Sequence, residues 1–268
     1  MEMKLLSGMT DLVIVNDKIT GTLPAAFGES ATNMRSLLLP DNQLKGEIPD
    51  DYLSNSPLEY VHLANNGFTG PVPTNMGSES LLQLDLSGNA MTSMEGIGGY
   101  EALEALSLAN NKLEGDFPDE IYDLTNLNYL HVNGNALEGT LSSSIGDLSS
   151  LKELRAGGSA LSGHIPDELY TLTDLVEVDI NNAGFDGRLS LGFLNLESLQ
   201  KLNVANNKLI GTVPVGFGQL ATLSDLNLQG NDFSGAMPES VCELREDNLE
   251  VLTADCEKLT CDCCSACL

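Results

Sequence analysis

Apolar and polar positions recur along this chain in one fixed arrangement. Apolar residues fall at the first, fourth, sixth and eleventh places of a block, a polar residue at the ninth, a Gly at the thirteenth and, in most blocks, a Pro at the sixteenth. The frame L-x-x-L-x-L-x-x-N-x-L-x-G-x-I-P starts at Met9, Met34, Leu58, Leu81, Leu103, Leu127, Leu151, Leu175, Leu199 and Leu223. A truncated unit follows at Leu249, and the spacings run from 22 to 26 residues. Ten such periods do not arise by chance, and a period of this size means a stack of repeats.

Each place in the frame has a physical job. The alternation in L-x-x-L-x-L predicts a short strand with every second side chain inward, and successive strands stack in parallel ~4.8 Å apart. The ninth-place Asn turns the chain off the strand, and its amide can both donate and accept at the bend. Stacking predicts a ladder of Asn42, Asn66, Asn89, Asn111, Asn135, Asn207 and Asn231. Asp17 can only accept in this place, and Ser159 and Ala183 interrupt the ladder. The Gly permits a close turn and the Pro fixes φ, so the segment after the ladder is expected to be extended or 3-10-like. Residues such as those of DEIYDLTNL leave room for about one helical turn.

The 24-residue unit with its G-x-I-P segment resembles the plant-type leucine-rich repeat family, over residues 9–256. That family includes receptor-like kinase ectodomains, receptor-like proteins and polygalacturonase-inhibiting proteins. The resemblance implies an α/β fold: a right-handed superhelix, or solenoid, with a parallel β-sheet on the concave face and short 3-10 or extended segments on the convex face. The expected organisation is a repeat array over 1–241 and a Cys-rich C-terminal cap over 242–268. Departures from the pattern are informative. The unit at Leu81 is short and has Ser93-Met94 where the Gly belongs, which predicts a change of curvature near 91–102. Ser142 and Ser190 replace Pro and read as tolerated substitutions.

Composition narrows the picture. Aromatic residues make up only 5% and Trp is absent, so the core is expected to be a thin one of Leu, Ile and Val. With 39 acidic against 12 basic residues, the formal charge is −27. Such a surface repels phosphate backbones and anionic headgroups, which excludes nucleic acid as a partner class and argues against direct membrane association. High charge serves solubility; a basic partner or a salty milieu is the sharper alternative. No apolar run is long enough to span a bilayer, so no membrane insertion is expected within this chain. No basic leader, apolar core and small-residue cleavage site appear in order, so a signal peptide is not expected within these residues, and no Asn-x-Ser/Thr sequon occurs.

The two ends of the array differ. Met9 already fills a first-Leu place and the family's paired-Cys N-terminal cap is absent, so a missing N-terminal segment or a partner is expected to cover that edge. All six cysteines, Cys242, Cys256, Cys261, Cys263, Cys264 and Cys267, cluster at the C-terminus. They read as three disulfides closing the last repeat, in any of fifteen pairings, although Cys263 and Cys264 are poor partners for each other. The rival reading is a zinc site, since Cys264-x-x-Cys267 has ligand spacing and Cys261 and Cys263 complete a set of four sulfurs. The tail also resembles the ends of leucine-rich repeat proteins from diatoms and related algae.

No catalytic constellation is found, and neither cofactor nor metal is expected; an enzyme would need a kinase domain elsewhere in a longer protein. Binding is expected on the concave face, where places three, five and seven of each repeat point outward. A recognition strip is expected at Tyr129, His131, Glu153, Arg155, Glu177 and Asp179, with Tyr60 and His62 as a second contact. Tyr offers amphipathic contact area and Arg directed hydrogen bonds. The plainer alternative is that all eight are ordinary solvated strand residues. His62 and His131 suggest pH-dependent binding, and Val13, Val15, Leu38 and Pro40 suggest an apolar patch at the N-terminal end. The function expected is non-catalytic recognition of a protein or peptide by an extracellular or cell-surface module. The alternatives are a secreted inhibitor of a cell-wall hydrolase and an intracellular scaffold with a metal-binding tail.

Overall fold

A computed structural model describes residues 7–77 and 79–267. Residues 1–6 of the expected array, together with Ser78 and Leu268, lie outside the described residues. The chain divides between Ala136 and Leu137 into two compact units.

The first unit carries six short parallel strands, Asp11–Val13, Ser36–Leu38, Tyr60–His62, Gln83–Asp85, Ala105–Ser107 and Tyr129–His131, paired in sequence order. The second carries another six: Glu153–Arg155, Glu177–Asp179, Lys201–Asn203, Asp225–Asn227, Val251–Ala254 and Ala266–Cys267. In both, equivalent places of successive repeats face each other without a slip, for example Leu130 with Leu106 and Leu202 with Leu226. The inward places build a continuous core. Leu103, Leu106, Leu108 and Leu113 of one repeat are 0–1% exposed, and each such Leu stabilises by ~1.5–3 kcal/mol.

The asparagine ladder forms as the frame predicts. In the first unit Asn66 Nδ2 donates to the carbonyls of Leu63, Ala64 and Leu39, while its Oδ1 accepts from Leu44 N. Asn207 does the same in the second unit with Val204, Ala205, Ile180 and Phe185 N. At the interruption Ser159 Oγ donates to Ala156 O alone, and Ala183 has no polar side chain to contribute.

A second ladder runs beside it that the frame does not mark. In the ten full repeats every eighth place holds Asn, Asp or Gly, from Asn16 and Asp41 through Asn65, Gly88 and Asn110 to Asn206 and Gly230, and all take positive φ between 49° and 70°. These are the residue types that tolerate the left-handed region. The expectation for place seven holds only in part. Pro40, Ala64, Ala109, Gly157 and Ala205 are buried, whereas Val15 is exposed and Ser87, Asn133, Asn181 and Gln229 are half-buried; the chain turns immediately after this place, and ladder asparagines bond carbonyls there, as Asn42 does that of Pro40. The N-terminal apolar patch therefore shrinks to exposed Val13 and Val15 beside a half-buried Leu38.

On the side away from the strands lie short helical turns, as expected. The first unit has an α-helical turn at Ala25–Ser30 and 3-10 turns at Ile97–Gly99 and Asp119–Asp123. The second has 3-10 turns at Ser143–Asp147, Asp167–Thr171, Leu191–Asn195 and Val215–Gln219, then an α-helical turn at Glu239–Glu243. Ser142 and Ser190, read as tolerated in place of Pro, act as N-caps: their hydroxyls accept from Ser144 N and Gly192 N, which satisfies donors that a helix start leaves open.

The irregular repeat has a local cause. Ser93 stands where its neighbours carry a left-handed Gly, and the pairing slips so that Gly70 faces Met91 but Pro71 faces Ser93. The left-handed turn moves to Gly96 at φ 80°. Buried Tyr100 fixes this turn by donating to Pro73 O at 2.6 Å and accepting from Met76 N at 3.1 Å. Burial pushes its phenol up to about 12.

All six cysteines are oxidised, as Cys242–Cys263, Cys256–Cys267 and Cys261–Cys264. The zinc alternative fails here because every sulfur is paired with another. Arg245 reinforces the closure, its Nη1 donating to Glu250 O at 2.7 Å and Ser265 Oγ at 2.7 Å.

Candidate ligand-binding faces

The outward strand places make one face in each unit, and the two faces have different chemistry. In the first unit, register aligns Tyr60, Gln83, Ala105 and Tyr129 in one row and His62, Asp85, Ser107 and His131 in the next. Tyr60 and Tyr129 are three strand spacings apart, ~14 Å, and are 37% and 40% exposed. Between them the floor drops to Ala105 and Ser107, opening a cavity of 210 Å³ lined also by Gln83, Asp85, Tyr129 and His131. A second cavity, of 420 Å³, lies on the other side of Gln83 and is lined by Ser36, Leu38, Tyr60 and His62. His62 Nε2 meets Asp85 Oδ2 at 3.0 Å. This hydrogen bond raises the imidazole above its ordinary 6.5, against the opposing effect of burial. Burial works to raise Asp85 as well, but hydrogen bonds from His62 and from the Ser87 hydroxyl and backbone outweigh it and hold the carboxyl below its ordinary value.

The second unit's face is a chain of charges. Arg155 grips Glu177 with two bonds, Nε to Oε1 at 2.7 Å and Nη2 to Oε2 at 3.1 Å, and its Nη2 also meets Glu153 Oε2 at 3.0 Å. Lys201 Nζ lies 3.6 Å from the far oxygen of Glu177. Two carboxyls have raised pKa values. For Asp179 burial is the main cause and Glu177 adds to it; for Asp225 burial again leads, with Glu177 and Asp179 adding and Lys201 opposing. A trough of 240 Å³ is lined by Glu177, Asp179, Lys201, Asn203, Asp225 and Asn227.

The structure therefore brings Tyr60, His62, Tyr129 and His131 onto one face of the first unit, and Glu153, Arg155, Glu177 and Asp179 onto one face of the second. Arg155, expected to reach a ligand, is committed to Glu177 and Glu153. Sequence reasoning passed over Asp85, which orients His62, and Lys201 and Asp225, which complete the charge chain. Their strand places were legible, but these partnerships join residues 22–24 positions apart across neighbouring strands. Among the described residues no three His, Cys, Asp or Glu side chains are placed to share a metal ion, and no helix is long and apolar enough to cross a membrane.

Comparison with known proteins agrees with this architecture. The family model described as Leucine Rich Repeat matches residues 102–124 and 198–220. Receptor-like protein 47 of Arabidopsis thaliana is 31% identical over 107 residues, covering 39% of this chain and 13% of its own length. The chain thus spans a small part of this relative. Among solved structures, a plant peptide hormone receptor, RGFR1 in complex with RGF2, superposes with a TM-score of 0.85 at 29% identity over 95% of this chain and 41% of the receptor. The leucine-rich repeat ectodomain of the Arabidopsis receptor kinase HAESA, in complex with an N-terminally extended IDA peptide hormone ligand, has a TM-score of 0.85 at 30% identity over 92% of this chain and 41% of its own.

Proposed function

We propose that this leucine-rich repeat chain, similar in sequence and fold to plant receptor ectodomains, is a non-catalytic recognition module that binds a protein or peptide, with the first unit's sheet face as the ligand-contacting surface. The observation that carries this reading is the pair of exposed tyrosines, Tyr60 and Tyr129, flanking a floor of Ala105 and Ser107. Two rigid amphipathic rings beside cavities suit an extended chain: the rings supply contact area at low entropic cost, and Gln83 and the His62–Asp85 pair supply hydrogen bonds between them. The second unit's face is less available, since its guanidinium and its best-placed carboxylate already satisfy each other. Relatives that are receptors for peptide hormones support the ligand class. Three disulfides fit an oxidising compartment, which supports an extracellular or cell-surface location.

The test is a peptide library selected on the native protein and then measured against Tyr60→Ala/Tyr129→Ala. Hot-spot aromatics cost ~2 kcal/mol or more each on truncation, so the selected peptides should bind the double variant at least ~10-fold more weakly. Selected binders whose affinity is unchanged would remove the first unit's face from the proposal.

A further inference from the structure

The side of the second unit that carries the helical turns has a row of its own. Four successive turns begin, 24 residues apart, with Asp167, Leu191, Val215 and Glu239. The turns adjoin in that order. A Cβ on Gly192 would meet the Tyr170 ring, and one on Gly216 would meet Leu191 and Leu194 at 2.9 Å. Ser240 Oγ donates to Val215 O at 2.9 Å. The row thus reads acid, apolar, apolar, acid, and all four residues are exposed.

The two apolar members are anomalous. Leu191 is 58% exposed and Val215 72%, the highest values among the large apolar residues described as exposed. The same place one repeat before Asp167 holds exposed Ser143, and in the first unit it holds exposed Asp119. Two neighbouring repeats have therefore exchanged a polar residue for a branched apolar one. In both, the next residue is Gly rather than the Glu or Ser of the flanking repeats. The missing side chain at Gly216 leaves room for Leu191 and Leu194 to lie against its backbone, while the space at Gly192 is filled by the Tyr170 ring. An apolar centre ringed by charge is the layout of a protein interface, where the centre is desolvated and the rim stays wet. The rim here is acidic: Asp167 and Glu168 on one side, Glu239 on the other.

We propose that Leu191, Leu194 and Val215 form a second interaction surface, separate from the sheet face, for a basic segment of another protein: an apolar anchor flanked by Lys or Arg. Charge decides the occupant. A second copy of this chain would bring the same acidic rim against this one, and at a formal −27 per chain the copies repel. A cationic partner gains from the rim in encounter rate and orientation while its apolar residues cover the centre.

The probe is a soluble helical peptide with Leu on one face and Lys on the other, compared with two controls, one with Glu for Lys and one with Ser for Leu. Affinities are measured for the native chain and for Leu191→Asp/Val215→Asp, with Leu191→Ser/Val215→Thr as a milder pair; circular dichroism reports folding. The proposal expects the Leu/Lys peptide to bind the native chain at least ~10-fold more tightly than either control and to lose that advantage in both variants. The aspartate variant discriminates sharply. Indiscriminate attraction of a cation to an acidic protein predicts tighter binding to it, and docking on this surface predicts weaker binding. Equal or tighter binding to the aspartate variant, or equal binding of the control with Ser for Leu, overturns the proposal. So does a concentration-dependent dimer of the native chain that either variant dissolves, which would assign the surface to a second copy.

Discussion

The same strand places carry opposite solutions in the two units. In the first, they hold tyrosines, histidines and small residues, with an ion pair joining His62 to Asp85. In the second, they hold Glu153, Arg155, Glu177 and Lys201 in a continuous chain of opposite charges. Both faces rest on equivalent Leu cores in the same register, so the scaffold imposes neither. The lesson is that a polar strand place in a repeat array has two uses. Side chains that satisfy each other across neighbouring strands stabilise the stack, and side chains left half exposed above small neighbours are available to a ligand.

Several substitutions would break or sharpen this contrast. The largest effect should come from Glu177→Ala. Glu177 is the hub of the second face, and its loss strands Arg155; a buried pair broken on one side costs ~3–5 kcal/mol and an exposed one under ~1, so a half-buried pair should cost about 2. Chemical denaturation measures this, and a double-mutant cycle with Arg155→Ala should show coupling of about 1 kcal/mol or more. The equivalent change on the first face, Tyr129→Ala, should leave stability within about 0.5 kcal/mol. Next comes Ala183→Asn, which restores a missing rung of the ladder. With backbone partners placed as they are around Asn207, it should add about 1 kcal/mol, and hydrogen exchange should slow at Leu161 N.

Smaller still is Asp225→Asn. A carboxyl whose folded pKa is raised prefers to be neutral when folded, so its charge destabilises the protein at neutral pH. Removing that charge should raise stability by up to about 0.5 kcal/mol at pH 7, with the gain vanishing as pH falls through the raised pKa. The His62–Asp85 pair has the opposite sense. His62 is raised, so its contribution is present below about 6.5 and is lost as pH rises through the folded value. Asp85 is lowered, so its contribution is lost only as pH falls through its own depressed value. An NMR titration of the imidazole should give a midpoint above 6.5, and Asp85→Asn should bring it down; a midpoint that ignores the substitution would detach the pair from the account.

Much of the fold was legible because repetition amplifies weak signals. The Leu places, the ninth-place Asn and the Gly-x-x-Pro step each recur, and each has a single physical role. The disulfide-rich end was legible as a cap, but its pairing was not, because six cysteines within one short tail leave many connectivities open even with Cys263–Cys264 disfavoured. The eighth-place ladder was present in the sequence but hidden by its own variety: Asn, Asp and Gly look unrelated until φ shows what they share. The capping role of Ser142 and Ser190 was hidden for a similar reason, since a missing Pro draws notice before a hydroxyl that can cap. The candidate residues were placed on the correct strands, but their chemistry was not legible. Whether Arg155 faces a ligand or Glu177 depends on a diagonal contact between strands, which a list of positions along the chain does not contain.

The most direct test of the central claim is to map one selected peptide on the isotope-labelled protein by chemical-shift perturbation. The account predicts shifts concentrated at Tyr60, His62, Gln83, Ala105, Ser107, Tyr129 and His131, with Glu177, Lys201 and Asp225 unmoved. Perturbations concentrated on Glu177, Asp179, Lys201 and Asn203, with the tyrosines silent, would contradict it and make the charged face the one that binds.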